Sequence, residues 1–315
     1  MGTLILRRLL TLIPTMLIVS FGVYGLITLI PGDAAVQLAG GINATPEKVE
    51  EVREQLGLDD PFITQYWNWL KDAVTGDLGQ SLTTGKSVTS EIRQAFPVTL
   101  SIVAAGLAFG LIFGIPAGIL AGMRPGSRLD RGLISATTLS NAIPSFFLAM
   151  LLITVFAINL KWFPALGFTR ITDDPVQWLK AVTLPAIGIG LGVAGTQARQ
   201  VRAALADVMG SAYVRTAWSM GADTRTVVTK HALKNAAIPA ITVIGLQLGG
   251  LLGGAVLVEQ IFSIPGLGTY ILQAIYAFNL PVIQGVALMF VIINVMISLI
   301  IDISYGFLDP RVRVS

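Results

Sequence analysis

The sequence predicts an all-α polytopic membrane protein with six transmembrane helices, and three observations carry that prediction. Hydrophobic residues make up 54% of the 315 and charged residues 12%, against about a quarter charged in soluble domains. Uncharged runs long enough for a bilayer core, about 20 residues each, recur along the chain. The basic residues gather beside those runs and form no continuous stripe, so the net charge of +3 reflects membrane orientation and not a nucleic-acid partner. The absence of cysteine excludes disulfides, thiolate metal sites and cysteine nucleophiles.

Taken in order, the expected spans lie at 9–30, 97–122, 132–160, 181–198 (continuing toward 205), 236–258 and 282–301. The first is longer than a signal-peptide core, and no clear small-residue cleavage site follows it before Pro31-Gly32-Asp33, so it reads as retained. Arg7 and Arg8 before it read as topology anchors. Residues 260–301 carry no charge and could hold two spans. Pro265, Gly266 and Gly268 break the first half early, and Asn279 with Pro281 closes it, which leaves a re-entrant or interfacial segment.

Between the first two spans the composition changes. In "TPEKVEEVREQLGLDD" (45–60), Thr45 is the expected N-cap, Pro46 the first helical residue and Gly57 the stop. "PFITQYWNWLKDAVTGDLG" (61–79) follows, with Tyr66, Trp67, Trp69 and Leu70 closely spaced as in an amphipathic helix on a membrane or on the next element. Together these form a small helical segment outside the membrane, either a stiff connector or a docking surface.

Orientation follows from the Lys and Arg residues, which collect on cytoplasmic flanks. With six spans, the segments on the side of the termini hold Arg7, Arg8, Arg124, Arg128, Arg131, Arg199, Arg202, Arg215, Arg225, Lys230, Lys234, Arg311 and Arg313, 13 of the 21 basic residues. Both termini are therefore expected in the cytoplasm. On this reading 1–30 form the N-terminus and first span, 31–96 the extracytoplasmic helical segment, 97–308 a five-helix core containing the cytoplasmic loop 199–235, and 309–315 a cytoplasmic tail.

The spans lack ionisable groups away from their ends. Glu259 and Asp302 sit at expected span edges, where snorkelling or a cap accounts for them, while Asn141, Gln247 and Asn294 are polar but do not titrate. Proton-coupled carriage and intramembrane hydrolysis are therefore poorly supported: there is no His-Glu-x-x-His pair, and Ser145 beside Pro144 has no candidate base in a span. Glycines recur at three- to four-residue spacing in "GLAFGLIFGIPAG" (106–118), "GIGLGVAG" (188–195) and "GLQLGGLLGGA" (245–255). Close helix packing follows, either as surfaces sliding along a gated path or as permanent faces. Pro116, Pro144, Pro185 and Pro239 are candidates to kink or end their helices.

One stretch stands apart. "YVRTAWSMGADTRTVVTKHALKNAAIPA" (213–240) holds a polar run, a glycine and the sole histidine between spans four and five. "YVRTAWSMG" reads as a short helix ended by Gly221, and "ADTRTVVTKHALKN" restarts one with Asp223 as N-cap. Its apolar residues, Tyr213, Ala217, Met220, Val227, Val228 and Ala232, are too few for a core of their own. The hairpin either fits a partner's groove or rests on headgroups.

This stretch resembles the cytoplasmic coupling loop of ABC importer permeases, whose pattern runs Glu-Ala-Ala, three residues, glycine, then nine residues to an apolar site. Arg215-Thr216-Ala217, Trp218-Ser219-Met220 and Gly221 fit that frame, with Arg215 in the glutamate's place and His231-Ala232-Leu233-Lys234 downstream. Both departures resemble the peptide-permease branch. "LIPGDAA" (29–35), "LGLDDPFITQYWNWLKDAVTGDLGQSL" (56–82), "FPVTLSI" (96–102), "VEQIFSIPGLG" (258–268) and "YGFLDPRVR" (305–313) resemble, in this order, segments of the B-type permease of dipeptide and oligopeptide importers.

The resemblance implies a type I ABC importer permease fold in a bacterial cytoplasmic membrane. It implies pairing with a homologous second permease, two cytoplasmic ATPases that bind ATP and magnesium, and an extracytoplasmic solute-binding protein. No enzyme activity, cofactor, metal or nucleic acid is expected for this chain, which lacks a phosphate-binding Walker loop. Ala217, Gly221 and Ala222 would form the tight-contact centre of the coupling helix, with Tyr213, Arg215, Asp223, Arg225 and His231 around it. Bulk at Gly221 is expected to uncouple ATP hydrolysis from uptake. Peptides are the first choice of solute; nickel complexes, opines and haem are carried by the same branch. An autonomous channel, a secondary carrier or a membrane scaffold are the readings of a different class.

Overall fold

A computed structural model describes residues 2–25, 33, 35–36, 39–228 and 233–308. Among them the regular structure is helical, apart from one isolated antiparallel bridge between Gln80 and Ser87. The main helices are α1 (Gly2–Tyr24), α2 (Pro46–Leu56), α3 (Phe62–Thr75), α4 (Val88–Gly122), α5 (Arg128–Ala142), α6 (Ser145–Leu152), α7 (Pro175–Met209), α8 (Ala212–Ser219), α9 (Leu233–Ile261), α10 (Leu267–Tyr276) and α11 (Leu280–Leu308).

Among the described residues, four helical stretches are long and apolar enough to cross a membrane: α4, α7, Val243–Ile261 of α9 and Leu280–Ile301 of α11. A fifth expected span, 132–160, is divided into α5 and α6, bent by 94° at Ile143-Pro144, and α6 runs on as a π-helix over Ile153–Asn159. Of the sixth, 9–30, the stretch Leu12–Tyr24 is an apolar helix and residues 26–30 lie outside the described residues. Pro144 alone of the four singled-out prolines stands at a break; Pro116, Pro185 and Pro239 lie within continuous helix.

Several helices outrun the expected boundaries, α4 and α7 among them. α4 begins at Val88 and not near 97, because Glu91 and Arg93 interrupt the uncharged run without interrupting the helix, while Val88, Ile92 and Ala95 continue an apolar face. α7 begins at Pro175, where the Asp174 carboxylate accepts the N–H groups of Val176 and Gln177 at 2.9 and 3.0 Å, and carries Arg199 and Arg202 to its end at Met209. The snorkelling expected of Glu259 is corrected. α9 runs past it to Ile261, so the carboxylate is fully buried and accepts a 2.6 Å hydrogen bond from Thr99 Oγ1 on α4.

The chain forms two compact units. In the first, Val98–Pro265 with the chain from Ile297, α7 is central and is packed by α5, α6 and α9. Asp130 of α5 is buried and holds Arg202 of α7 through two 2.8 Å hydrogen bonds, while Arg199 donates to the Thr137 carbonyl at 3.1 Å. A buried carboxylate is tolerated there because it is paired and also accepts the Gly126 N–H at 2.8 Å.

The second unit comprises Gly2–Pro97 and Gly266–Met296. Its α2 has the capping read from the sequence: Thr45 Oγ1 accepts the Lys48 N–H, Pro46 is the first residue, and Gly57 at φ 56° ends the helix. α3 lays an aromatic face on α1, where Phe21 and Tyr24 meet Phe62, Tyr66 and Trp69, and Ser20 hydrogen-bonds Tyr66 at 2.9 Å. α10, at 10 residues, is too short to span. Asn279 beyond it is buried, donates to Ser81 and Thr83 at 2.8 and 2.9 Å, and accepts the Leu82 N–H at 3.2 Å.

Candidate functional site

The polar hairpin lies in the first unit, after α7. Gly210 and Ser211 turn the chain, α8 runs for eight residues, and a Schellman ending closes it: Gly221 N–H donates to the Trp218 carbonyl at 2.9 Å and Ala222 N–H to that of Ala217 at 3.1 Å. That ending needs a residue in the left-handed region, and Gly221 supplies it at φ 85°.

As expected, the hairpin does not make a core of its own and closes one only with the end of α7. Val214, Ala217 and Val227 are buried together, with Ala222 packed against them and Val208 and Met209 of α7 completing the cluster. The spacing of Val214 and Ala217, three residues apart on one helical face, is the signal in the sequence. Tyr213 and Met220, expected on the apolar side, face the other way at 44% and 78% exposure. Trp218, half-exposed on the other flank of the buried stripe, was not singled out from the sequence.

The remaining site residues are spread over this frame. Arg215 donates to the Gly210 carbonyl at 3.0 Å and so stays on its own hairpin. The Asp223 carbonyl accepts the Val227 N–H at 3.0 Å as the chain re-enters helical conformation over Thr224–Thr226. The side chain of Arg225 and the whole of His231 lie outside the described residues. A Cβ at Gly221 would meet nothing within 4 Å, so bulk there is opposed by backbone conformation and not by space.

A second feature of the same unit comes from the glycine repeats. Along α4, Gly106, Gly110, Gly114, Gly118 and Gly122 face α7 so closely that a Cβ at Gly114 or Gly118 would lie 2.6 Å from the carbonyl oxygen of Ala194 or Ala198. At Gly192, Gly250 and Gly253, by contrast, a Cβ would meet nothing within 4 Å. Gly192 of α7 and Gly250 of α9 border a cavity of about 220 Å³, into which the bend at Pro144 brings Asn141 and Ser145. Thr196 donates to Asn141 Oδ1 at 2.9 Å across it. Gln247 also lines it.

Comparison with known proteins matches these features to a family. Residues 114–314 match "Binding-protein-dependent transport system inner membrane component", and residues 1–103 match the N-terminal component of the same transport systems. This chain is an ABC importer permease subunit of that family. The permease is 40% identical over 313 residues, 99% of both chains, to a putative peptide transport system permease protein of Brucella abortus. It is 38% identical over 309 residues, 98% of both chains, to the glutathione transport system permease protein of Escherichia coli K12. Among solved structures, an inward-facing form of the MetNI methionine ABC transporter covers 70% of the permease and 96% of its own chain, with a TM-score of 0.57 at 19% identity. That likeness concerns the fold alone, the type I importer fold of a multi-pass membrane protein.

Proposed function

We propose that the permease forms half of a path for short peptides and takes its driving force from a cytoplasmic ATPase seated on α8. The observation that carries the reading is the two-sidedness of the hairpin. Its inner face is closed on Val214, Ala217 and Val227, while Tyr213, Trp218 and Met220 are left as exposed apolar side chains on its two flanks. A packed helix with exposed apolar flanks can seat in a partner's groove, as an amphipathic helix does.

The full assembly on this reading has a homologous second permease, two ATPases holding ATP and magnesium, and a solute-binding protein on the opposite side, with both termini of the chain in the cytoplasm. Nucleotide-driven closure of the ATPases would bias the permease between two states. The relatives support peptides, since one is named for peptide transport and another for glutathione, itself a tripeptide. The test is co-purification with the cognate ATPases, followed by peptide-stimulated ATP hydrolysis in liposomes, for wild type and for Trp218→Asp with Met220→Asp. Both side chains are exposed, so the variant should fold while losing the ATPases and the stimulation together. Assembly and stimulation equal to wild type would overturn the coupling role of α8.

A further inference from the structure

We propose that the cavity between the α5–α6 bend, α7 and α9 is a subsite for the peptide backbone of the passing solute, with the Gln247 amide as its recognition group. This rests on the reading of the chain as a peptide permease. Both polar atoms of that amide, Nε2 and Oε1, are buried without a hydrogen-bond partner among the described residues, and they become available to a solute as the side chain turns into the cavity it lines. A buried amide with neither its donor nor its acceptor matched is costly, and native structures rarely keep one without a use.

The surroundings narrow what could match it. Among the described residues no charged side chain lines the cavity, so it suits a neutral group and not a free terminus. Asn141 and Thr196 engage one another, and Asn141 Nδ2 also donates to the Thr137 carbonyl at 2.8 Å, so this wall is fixed in orientation. In the opposite wall, Gly250 leaves room for a backbone to approach. In an extended peptide the N–H and C=O of one residue point to the same side, as they do in a hydrogen-bonded strand pair. One side-chain amide can therefore accept from the first and donate to the second. The volume of about 220 Å³ equals that of about seven waters at ~30 Å³ each, enough for a residue and part of its neighbours. Recognition of this kind ignores side-chain identity, which suits a path that follows selection by another subunit.

The test uses the assembled transporter in liposomes, with second permease, ATPases and binding protein, and measures uptake of trialanine and of trialanine N-methylated at its central residue. Gln247→Leu and Gln247→Met remove both polar groups at similar volume. KM should stay with the binding protein, while turnover of trialanine falls about 5- to 150-fold, the worth of two neutral hydrogen bonds, and the turnover difference between the two peptides disappears. Melting temperature in detergent should not fall, because an unmatched group is being removed. Unchanged turnover and discrimination in both variants would overturn the subsite, as would a loss of stability in both, which would assign Gln247 a structural partner. A wild-type transporter that carries neither peptide would overturn the peptide reading and this inference together.

Discussion

The two glycine-lined faces of α7 use the same residue for opposite ends. Toward α4, the missing side chains are filled by the neighbour's backbone, with carbonyl oxygens where Cβ atoms would stand. Toward α9, Gly192 and Gly250 are not filled at all, and a cavity remains beside an unmatched amide. A small-residue repeat therefore specifies only that something approaches closely. Whether it is a helix or a solute is decided by the facing element, here by the bend at Pro144 that draws α5 and α6 apart.

The sharpest way to break this comparison is Gly114→Leu. Its Cβ alone would be 2.6 Å from the Ala194 carbonyl oxygen and 2.9 Å from the Ala194 Cα, backbone that cannot rotate away. The expected cost reaches or exceeds about 3 kcal/mol, read as loss of monodisperse protein in detergent or a large drop in melting temperature. Gly250→Ala should do the reverse. Its Cβ meets nothing within 4 Å, so the gain in helix propensity, up to about 1 kcal/mol, should appear as a raised melting temperature. Equal destabilisation by both variants would abolish the distinction between seam and cavity.

A smaller effect, within the second unit, serves as a control. Asp33 pairs with Arg53 of α2 in the second unit. Partial desolvation raises its carboxyl, but hydrogen bonds from the Ala35 N–H and the Arg53 guanidinium outweigh it and hold the group below the ordinary carboxylate range. A depressed folded-state pKa contributes stability above the unfolded value, about 3.9, and loses it as pH falls through the folded one. Acid titration should thus loosen wild type at α2 slightly, and Asp33→Asn should remove that increment without touching the behaviour of Gly114→Leu or Gly250→Ala.

Local signals were legible in the sequence. Thr45, Pro46 and Gly57 bound α2, and Gly221 ends α8, because caps and left-handed endings are settled within a few residues. That the stretch between Pro265 and Asn279 is too short to span was legible for the same reason. What depends on a neighbour was not. Glu259 is read as an edge residue until α4 brings Thr99 to it, and Tyr213 and Met220 are read as inward until Val208 and Met209 show which face of α8 is occupied. Asn141 and Gln247 were visible only as polar residues in apolar runs. Their placement on one cavity requires the 94° bend, which no periodicity encodes.

The length of α7 has a mechanical consequence. Its 35 residues make a rod of about 50 Å, anchored at one end to the hairpin through Val208 and Met209. The α4 seam and the Asp130–Arg202 clamp grip it along its side. On the coupling reading, a thrust delivered at α8 would therefore not be absorbed where it lands. The rod would carry it along its whole length to the helices packed on it, α9 among them.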